Sequence, residues 1–279
     1  MNKAFQQISN NRRLFFPIII NSTITYILAF LFTFFVYQAV TTISAASCNI
    51  HVGLKYNGIR FLTGDYSSLW TADSAFIVFI SGPVVSIILG FVSLFISISL
   101  MGLKSNLKMF FLWTSLHFFN RVLSFFILGN ILFLYGPNLI LDWMYFDDAF
   151  KIVFSGIAFI LLFIIGLLYA SSFLHSANNI NLIKPAKRLA FLMSQALFPF
   201  LAGNIFILIF FLPKIPLVEI LINLFLIVSI APLFLNYRKF SIIDVDEPIK
   251  IYPVNMKYIL FLAGITLLYR ILLIKEISF

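Results

Sequence analysis

The chain has 279 residues and a net charge of +9, and it is 62% hydrophobic, 18% aromatic and only 10% charged. Because a soluble domain carries about 25% charged residues, this composition excludes a water-soluble globular protein. We predict a single integral membrane domain over residues 1–279, an all-α polytopic bundle. The phenylalanines are interpreted as lipid-facing bulk, so nucleic acid is not predicted as a partner.

Seven stretches are long and apolar enough to cross a bilayer, at about 20 residues per crossing. They cover residues 17–43, 75–101, 108–133, 150–173, 189–212, 216–235 and 256–274. Pro17 suits the start of the first helix. The apolar run that follows it is too long for the core of a cleaved signal peptide, so we predict a retained first span.

Lysine and arginine are unevenly divided between the two sides of the predicted bundle. One side holds Lys3, Arg12, Arg13, Lys104, Lys108, Lys184, Lys187, Arg188, Arg238, Lys239, Lys250 and Lys257. The other side holds Lys55, Arg60, Lys151, Lys214 and Lys275. Because cytoplasmic loops are enriched in these residues, we predict a bacterial inner membrane protein with its N-terminus in the cytoplasm and its C-terminus outside.

The loop between the first two spans, residues 47–73, predicts a short outer β-hairpin. Hydrophobicity alternates around Tyr56, and the following Asn57-Gly58 pair is a common turn signal. The chain's one cysteine, Cys48, lies at the start of this loop and excludes an intramolecular disulfide.

Gly82 and Pro83 predict a kink or a local break in the second span, where another backbone could approach closely. An ordinary packing bend is the alternative interpretation. Upstream, the sequence TADSAF, which begins at Thr71, predicts the start of this helix.

The third span contains His117, Asn120 and Arg121, whose spacing places all three on one face of a helix. They could form an interhelical hydrogen-bond cluster. Alternatively, Arg121 could bind an anionic lipid headgroup or substrate, or His117 could relay protons. No carboxylate is predicted at the depth of this cluster, since Glu219 is placed near the outer end of the sixth span.

The loop over residues 136–149 combines aromatic and acidic side chains. It is interpreted as an interfacial aromatic belt with an acidic rim. The functional alternative is an outer docking loop for a partner protein, formed by Asp142, Trp143, Asp147 and Asp148.

Two later features carry polar groups inside spans. In the fifth span, Pro199 frees a backbone carbonyl and lies near Gln195 and Asn204, so this helix either lines a cavity or bends for packing. In the seventh span, Arg270 is expected to extend to the lipid headgroups.

The sequence lacks the common catalytic patterns. His-Glu-x-x-His, Gly-x-Ser-x-Gly, Walker and dinucleotide-binding motifs are absent. The histidines, His51, His117 and His175, fall at different predicted depths, which is incompatible with one zinc site. No cofactor and no metal are predicted.

The order of these features resembles the membrane core of the site-2-protease-like zinc metallopeptidases. In that family a helix with His-Glu-x-x-His is followed by a short β segment, a Gly-Pro-x-x-Asn helix and a helix with Asn-Pro and Leu-Asp-Gly. The resemblance covers residues 25–130. In the second span, Gly82, Pro83 and Ser86 match the Gly-Pro-x-x-Asn motif. In the third, Asn120 matches the Asn of Asn-Pro, and Leu128-Gly129 stands near Leu-Asp-Gly. Tyr37, Gln38 and Thr41 fall where the family has the His, Glu and His of its zinc motif.

The departures from this family remove its chemistry. Both zinc-binding histidines, the catalytic glutamate and the third ligand are replaced, and Gln38 cannot act as a general base. The resemblance therefore implies a degenerate, non-catalytic relative. We predict a scaffold or subunit of a membrane complex, with other membrane proteins and lipids as partners. The alternative is a transporter or permease subunit for a lipid-like or small amphipathic substrate.

Overall fold

The computed structural model describes residues 2–100, 105–132, 137–177, 180–235, 237 and 253–279. Within this part of the chain, seven helical stretches are long and apolar enough to cross a membrane, which confirms the predicted helical bundle. Residues 101 and 133, where two predicted spans end, lie outside the described residues, as do Lys104, Arg238, Lys239 and Lys250.

The elements follow one another in this order. Helix α1 (Asn2–Asn10) precedes the first span, α2 (Arg12–Ser47), which leads into β1 (Val52–Lys55) and β2 (Gly58–Phe61). The second and third spans are α3 (Ala72–Ser99) and α4 (Ser105–Leu132), and a short α5 (Pro137–Trp143) precedes the fourth, α6 (Asp148–Leu174). A short α7 (Ile180–Ile183) precedes the fifth span, which comprises α8 (Arg188–Leu192), a π-helical segment (Met193–Leu197) and α9 (Phe198–Phe211). The sixth is α10 (Leu217–Leu224) with α11 (Ile227–Leu233), and the seventh, α12 (Met256–Leu273), leads into β3 (Ile277–Ser278).

The first span begins earlier than predicted. Helix α2 starts at Arg12, so Pro17 lies inside the helix and not at its start. Pro17 lacks the N–H that would bond to the carbonyl of Arg13, and the helix tolerates this single loss near its beginning. The length of an apolar run shows where a helix crosses hydrocarbon. Here the helix itself begins earlier, in the polar residues that precede this run.

The second span is continuous, so the predicted local break at Gly82 and Pro83 is wrong. Its predicted start is confirmed. Thr71 Oγ1 accepts from the backbone N–H of Ser74 at 3.1 Å, and Ser74 Oγ accepts from the N–H of Thr71 at 2.8 Å. This capping box satisfies two N–H groups that the first turn would otherwise leave unpaired.

Small residues let this second span pack closely against the bundle. Its inward face carries Gly82, Ser86, Gly90, Ser93 and Ser97, all buried. Its outward face carries large apolar side chains, including Phe91 and Phe95, which are 60% and 73% exposed. Helices without a hydrophobic driving force between them commonly associate through such small residues.

The fifth span departs from a regular α-helix just before Pro199, and this proline frees a backbone carbonyl as predicted. Pro199 has no N–H for the carbonyl of Gln195, and the hydroxyl of Ser22 donates to that oxygen at 2.7 Å instead. The π-helical segment ends just before this proline. A neighbouring span thus satisfies the carbonyl that the proline leaves free.

The sixth span differs from its prediction as a single helix. A tight turn at residues 225–226 separates α10 from α11. Neither residue is glycine or proline, so the local sequence carries no signal for the interruption.

The predicted hairpin is confirmed, and its sheet contains a third strand. Lys55 pairs with Gly58, so Tyr56 and Asn57 form the two-residue loop, and Gly58 has a positive φ of 137°. Strand β3 pairs antiparallel with the other edge of β1. An ion pair between Lys55 Nζ and Glu276 Oε2, at 2.5 Å, reinforces that edge, and the Lys55 ammonium holds the pKa of Glu276 below its usual range.

The sheet lies at one end of the bundle, which we call the hairpin end. The first and seventh spans both end there, because β1 and β3 pair with each other. Both spans begin at the opposite end, where Asn21 Nδ2 donates to the carbonyl of Pro253 at 3.2 Å. Residues 136–149, predicted as a loop, include the helix α5 at the hairpin end.

Candidate functional site

A buried ion pair lies where the third and sixth spans meet. Nη2 of Arg121 lies 2.7 Å from both carboxylate oxygens of Glu219. The two side chains are only 5% and 14% exposed. The expectation that no carboxylate lies at the depth of the third-span cluster is therefore wrong. Glu219 lies in the first turn of α10, and the long side chain of Arg121 reaches it from α4.

The first span completes the surroundings of this pair. Nε2 of Gln38 donates to Glu219 Oε1 at 3.3 Å. The guanidinium carbon of Arg121 lies 4.5 Å from the ring centroid of Tyr37 and 5.2 Å from that of Phe34. Aromatic faces attract a guanidinium, and this attraction is stronger where water is excluded. Residues of the first and sixth spans therefore surround the positive charge that the third span contributes.

Asn120 connects the same two elements as Arg121. Its Nδ2 donates to the carbonyl of Ile222 at 2.8 Å, and its Oδ1 accepts from Ser124 Oγ at 2.9 Å. Asn120 and Arg121 thus attach α4 to α10 at neighbouring positions. This is an interhelical polar connection of the kind that their spacing predicts.

His117 lies on the same helix face but in different surroundings. Its ring centroid is 4.7 Å from that of Tyr26, 5.9 Å from Phe30 and 6.2 Å from Trp113. In the described part of the chain, no hydrogen bond joins His117 to Asn120 or Arg121, and its Nε2 has no partner. The three residues therefore share a helix face without forming one hydrogen-bonded cluster.

A second polar network joins the first, fifth and sixth spans. Asn204 Nδ2 donates to Tyr26 Oη at 3.2 Å, Tyr26 donates to Asn223 Oδ1 at 3.3 Å, and Asn223 Nδ2 donates to Asn204 Oδ1 at 2.8 Å. The three side chains form a closed triangle beside the His117 ring. Asn204 thus joins helices to one another, whereas Pro199 acts through the carbonyl that Ser22 satisfies.

The structure also brings together residues of the protease-like pattern. A Cβ atom at Gly82 would lie 2.8 Å from the Tyr37 ring and 2.9 Å from Thr41 Oγ1, so only glycine permits this approach of the first and second spans. Tyr37, Gln38 and Thr41 do not fit a zinc site, because a catalytic zinc takes three ligands from His, Cys, Asp and Glu. The described residues contain no group of three such side chains that could hold a metal.

The outer docking candidates divide into two kinds. Asp142 and Asp148 both pair with the ammonium of Lys151, and Asp147 caps α6 by accepting from the N–H of Phe150 at 2.9 Å. Trp143 is 38% exposed, and the neighbouring Tyr145 is 95% exposed with a positive φ of 58°. The acidic side chains thus support the local fold, and the aromatic ones face outward.

Arg270, which the sequence places near the headgroups, also holds the end of the fifth span. Its Nη1 donates to the carbonyls of Phe210 and Leu212 at 2.7 and 2.8 Å. It therefore satisfies carbonyls at the end of α9. The pairing of Arg121 with Glu219 has a signal in the sequence. Glu219 is the one acidic residue inside the predicted spans, and a buried arginine needs a counter-charge.

Comparison with known proteins provides no assignment to set beside this geometry. No protein-family model, no curated protein and no solved structure matches the chain.

Proposed function

We propose that this chain is a non-catalytic scaffold or subunit of a membrane complex in the bacterial inner membrane. The Arg121–Glu219 pair is the observation that carries the proposal. Three spans converge on it, and the carboxylate accepts from both Arg121 and Gln38. A guanidinium and a carboxylate that are paired with each other stabilise the bundle. They are poorly placed to exchange protons with a substrate.

The protease-like resemblance supports the same proposal. Tyr37 and Gln38 are two of the residues at the zinc-motif positions. Arg121 contacts Tyr37, and Glu219 accepts a hydrogen bond from Gln38. In this interpretation the Arg121 guanidinium lies beside the degenerate zinc motif, and the Glu219 carboxylate neutralises its charge. A guanidinium stays protonated in proteins, so it supplies charge without activating water.

The outer tip of residues 143–145 is the proposed contact for a partner. It presents Trp143, Met144 and Tyr145 together, at 38%, 56% and 95% exposure, while the acidic neighbours are occupied by Lys151 and the helix cap. Exposed aromatic residues and methionine are enriched in protein interfaces.

Purification in mild detergent tests this proposal, with identification and quantification of co-purifying chains. We expect one membrane protein in a fixed molar ratio to the wild-type chain. Tyr145→Ala should lower that ratio about tenfold, which corresponds to about 1.4 kcal/mol of binding energy.

Tyr66→Ala is the matched control, because Tyr66 is another fully exposed tyrosine at the hairpin end. It should leave the ratio unchanged. A chain that purifies alone, or a metal-dependent cleavage of membrane peptides that is lost with His117→Ala, would contradict the scaffold proposal.

A transporter subunit is the second candidate, and the π-helical segment before Pro199 favours it. Such segments are frequent at functional sites. Here the segment's Gln195 carbonyl accepts from Ser22, which lies one helical turn before Tyr26 of the closed triangle. Reconstitution into liposomes separates the two candidates: flux of an amphipathic substrate that disappears with an Arg121→Ala variant shown to remain folded would favour transport.

A further inference from the structure

A groove lies between the third and fourth spans at the hairpin end of the bundle. It has a volume of about 580 Å³. Four apolar side chains, Ile127, Ile131, Ile152 and Phe159, form its walls, and Asn130, Asp148, Lys151 and Ser155 contribute its polar part. Its volume lies within the range of about 300–1,000 Å³ that is typical of ligand sites.

The groove opens toward the surroundings of the bundle. Ile131, Ile152 and Phe159 are 59%, 72% and 46% exposed. These side chains belong to helices that are long and apolar enough to cross a membrane, so a molecule that enters between them would have its apolar part in the bilayer. The polar part of the groove includes the first turn of α6, where this helix begins at the hairpin end.

Asn130 supplies a buried acceptor that the protein does not satisfy. The residue is 7% exposed, and its Nδ2 donates to Ser155 Oγ at 3.0 Å and to the carbonyl of Lys151 at 3.4 Å. Those two bonds fix the orientation of the amide. Its Oδ1 is buried and has no hydrogen-bond partner among the described residues. Burying an acceptor without a hydrogen-bond partner is unfavourable, so a donor that reached this oxygen would stabilise the site.

The charged groups at the mouth of the groove also favour a ligand that donates hydrogen bonds. The Lys151 ammonium lies between the carboxylates of Asp142 and Asp148. The net charge of these three groups is −1, since two carboxylates accompany one ammonium. The carboxylate of Asp148 is 78% exposed, so it can accept from a ligand as well as from Lys151. Lys151 donates to two carboxylates, so the third N–H of its ammonium is left for an anionic group.

We propose that this groove binds a phospholipid whose headgroup ends in a primary ammonium, as in phosphatidylethanolamine. One acyl chain lies along the apolar walls, and the lipid phosphate pairs with Lys151. The ammonium, which has three donors and no acceptor, bonds to Asp148 and Asn130 Oδ1. A trimethylated headgroup has no N–H to donate, and an anionic glycerol headgroup brings no positive charge to the carboxylates.

Gly156 makes the proposal directly testable. It lines the groove, and a Cβ atom added to it would meet nothing within 4 Å. Gly156→Leu should therefore place an apolar side chain in the groove without removing a polar group, and its Cβ atom displaces no neighbour. Gly264→Leu is the matched control, because Gly264 is another membrane-span glycine with open space around its Cβ position.

The experiment is native mass spectrometry of the full chain after incubation with phosphatidylethanolamine, phosphatidylcholine or phosphatidylglycerol of identical acyl composition. We expect the wild type to retain the first lipid about tenfold more than either other lipid. Gly156→Leu should lower this retention about tenfold relative to Gly264→Leu.

Asn130→Leu should keep lipid retention but remove the preference for the primary ammonium, since it deletes the unpaired acceptor. Thermal unfolding in detergent checks that each variant is folded. Equal retention of the three lipids by the wild type would overturn the proposal, and so would Gly156→Leu and Gly264→Leu variants that retain the same amount. Because neither readout involves a protein partner, failure of this proposal is distinguishable from failure of the scaffold proposal.

Discussion

At the scale of single residues, the Arg121–Glu219 pair joins the third and sixth spans through a buried ion pair. Each side chain would be a poorly solvated charge without the other. Removing one member of a buried pair is strongly destabilising, because the remaining charge loses its partner and cannot regain water. Removing both leaves no charge to compensate. The two kinds of variant should therefore behave very differently.

We predict that Arg121→Leu and Glu219→Leu each lower the free energy of unfolding by about 3–5 kcal/mol. The double variant should lose much less than the sum of the two, since no isolated charge remains. Unfolding by denaturing detergent in mixed micelles measures all three variants. The same cycle at the more exposed Lys55–Glu276 pair is the control and should show weaker coupling. Additive effects at Arg121 and Glu219 would contradict this prediction.

The pairing of Arg121 with Glu219 also shows how far residue-level prediction from the sequence extends. A guanidinium inside a span demands a partner, and the sequence offers a single acidic residue inside the spans. Its depth was misjudged because apolar length assigns depth to a backbone position, whereas a long side chain reaches across several ångströms. The orphaned Oδ1 of Asn130 carries no sequence signal, since it depends on which partners α6 provides.

At the scale of helices, close approach of backbones determines which glycines can be replaced. A Cβ at Gly166 in α6 would lie 2.1 Å from the backbone oxygen of Ser229 in α11. That contact involves backbone, so it can be relieved only by moving one helix away from the other. Gly156, on the same helix, has open space instead.

We predict that Gly166→Ala lowers the free energy of unfolding by about 1–3 kcal/mol, the usual cost of overpacking. Gly156→Ala should leave it unchanged or raise it by up to about 1 kcal/mol, because alanine favours a helix more than glycine does. Detergent-induced unfolding of both variants compares the same substitution on one helix. A loss at Gly156 as large as that at Gly166 would show that helix contact is not the cause.

Hydropathy predicts most of the helical elements, because crossing hydrocarbon requires about 20 apolar residues wherever the helix packs. The interruption of the sixth span at residues 225–226 and the short helix α5 were missed for a physical reason. The interruption carries no proline or glycine. Helix α5 begins at Pro137, but its seven residues are too few to form an apolar run of membrane-spanning length. Strand β3 was missed because its pairing with β1 is a contact between distant parts of the chain, which local pattern cannot reveal.

At the scale of the whole molecule, the acidic side chains of the described residues lie in one half of the bundle. All described acidic residues belong to the hairpin half of the bundle: Asp65, Asp73, Asp142, Asp147, Asp148, Glu219 and Glu276. The described residues at the opposite end include Arg12, Arg13, Lys108, Lys184, Lys187, Arg188 and Lys257. This distribution favours the opposite end as the cytoplasmic side.

The one native cysteine provides a direct test of this orientation. Cys48 is partly exposed at the end of α2, beside the hairpin. We predict that a membrane-impermeant maleimide labels it in intact cells whose outer membrane has been permeabilised. A chain carrying Cys48→Ser together with Ser9→Cys should be labelled only after the inner membrane is opened, because Ser9 is exposed at the opposite end. The reverse labelling pattern would contradict the predicted orientation.

The pairing of β3 with β1 has a consequence for the order of biosynthesis. The hairpin emerges after the first span, but one edge of β1 has no neighbouring strand until the seventh span has been inserted. Throughout the insertion of the intervening helices, that strand edge is exposed and able to pair with other chains. A polypeptide arrested before its last span would therefore display an open edge, by which cellular quality control could distinguish an unfinished molecule from a finished one.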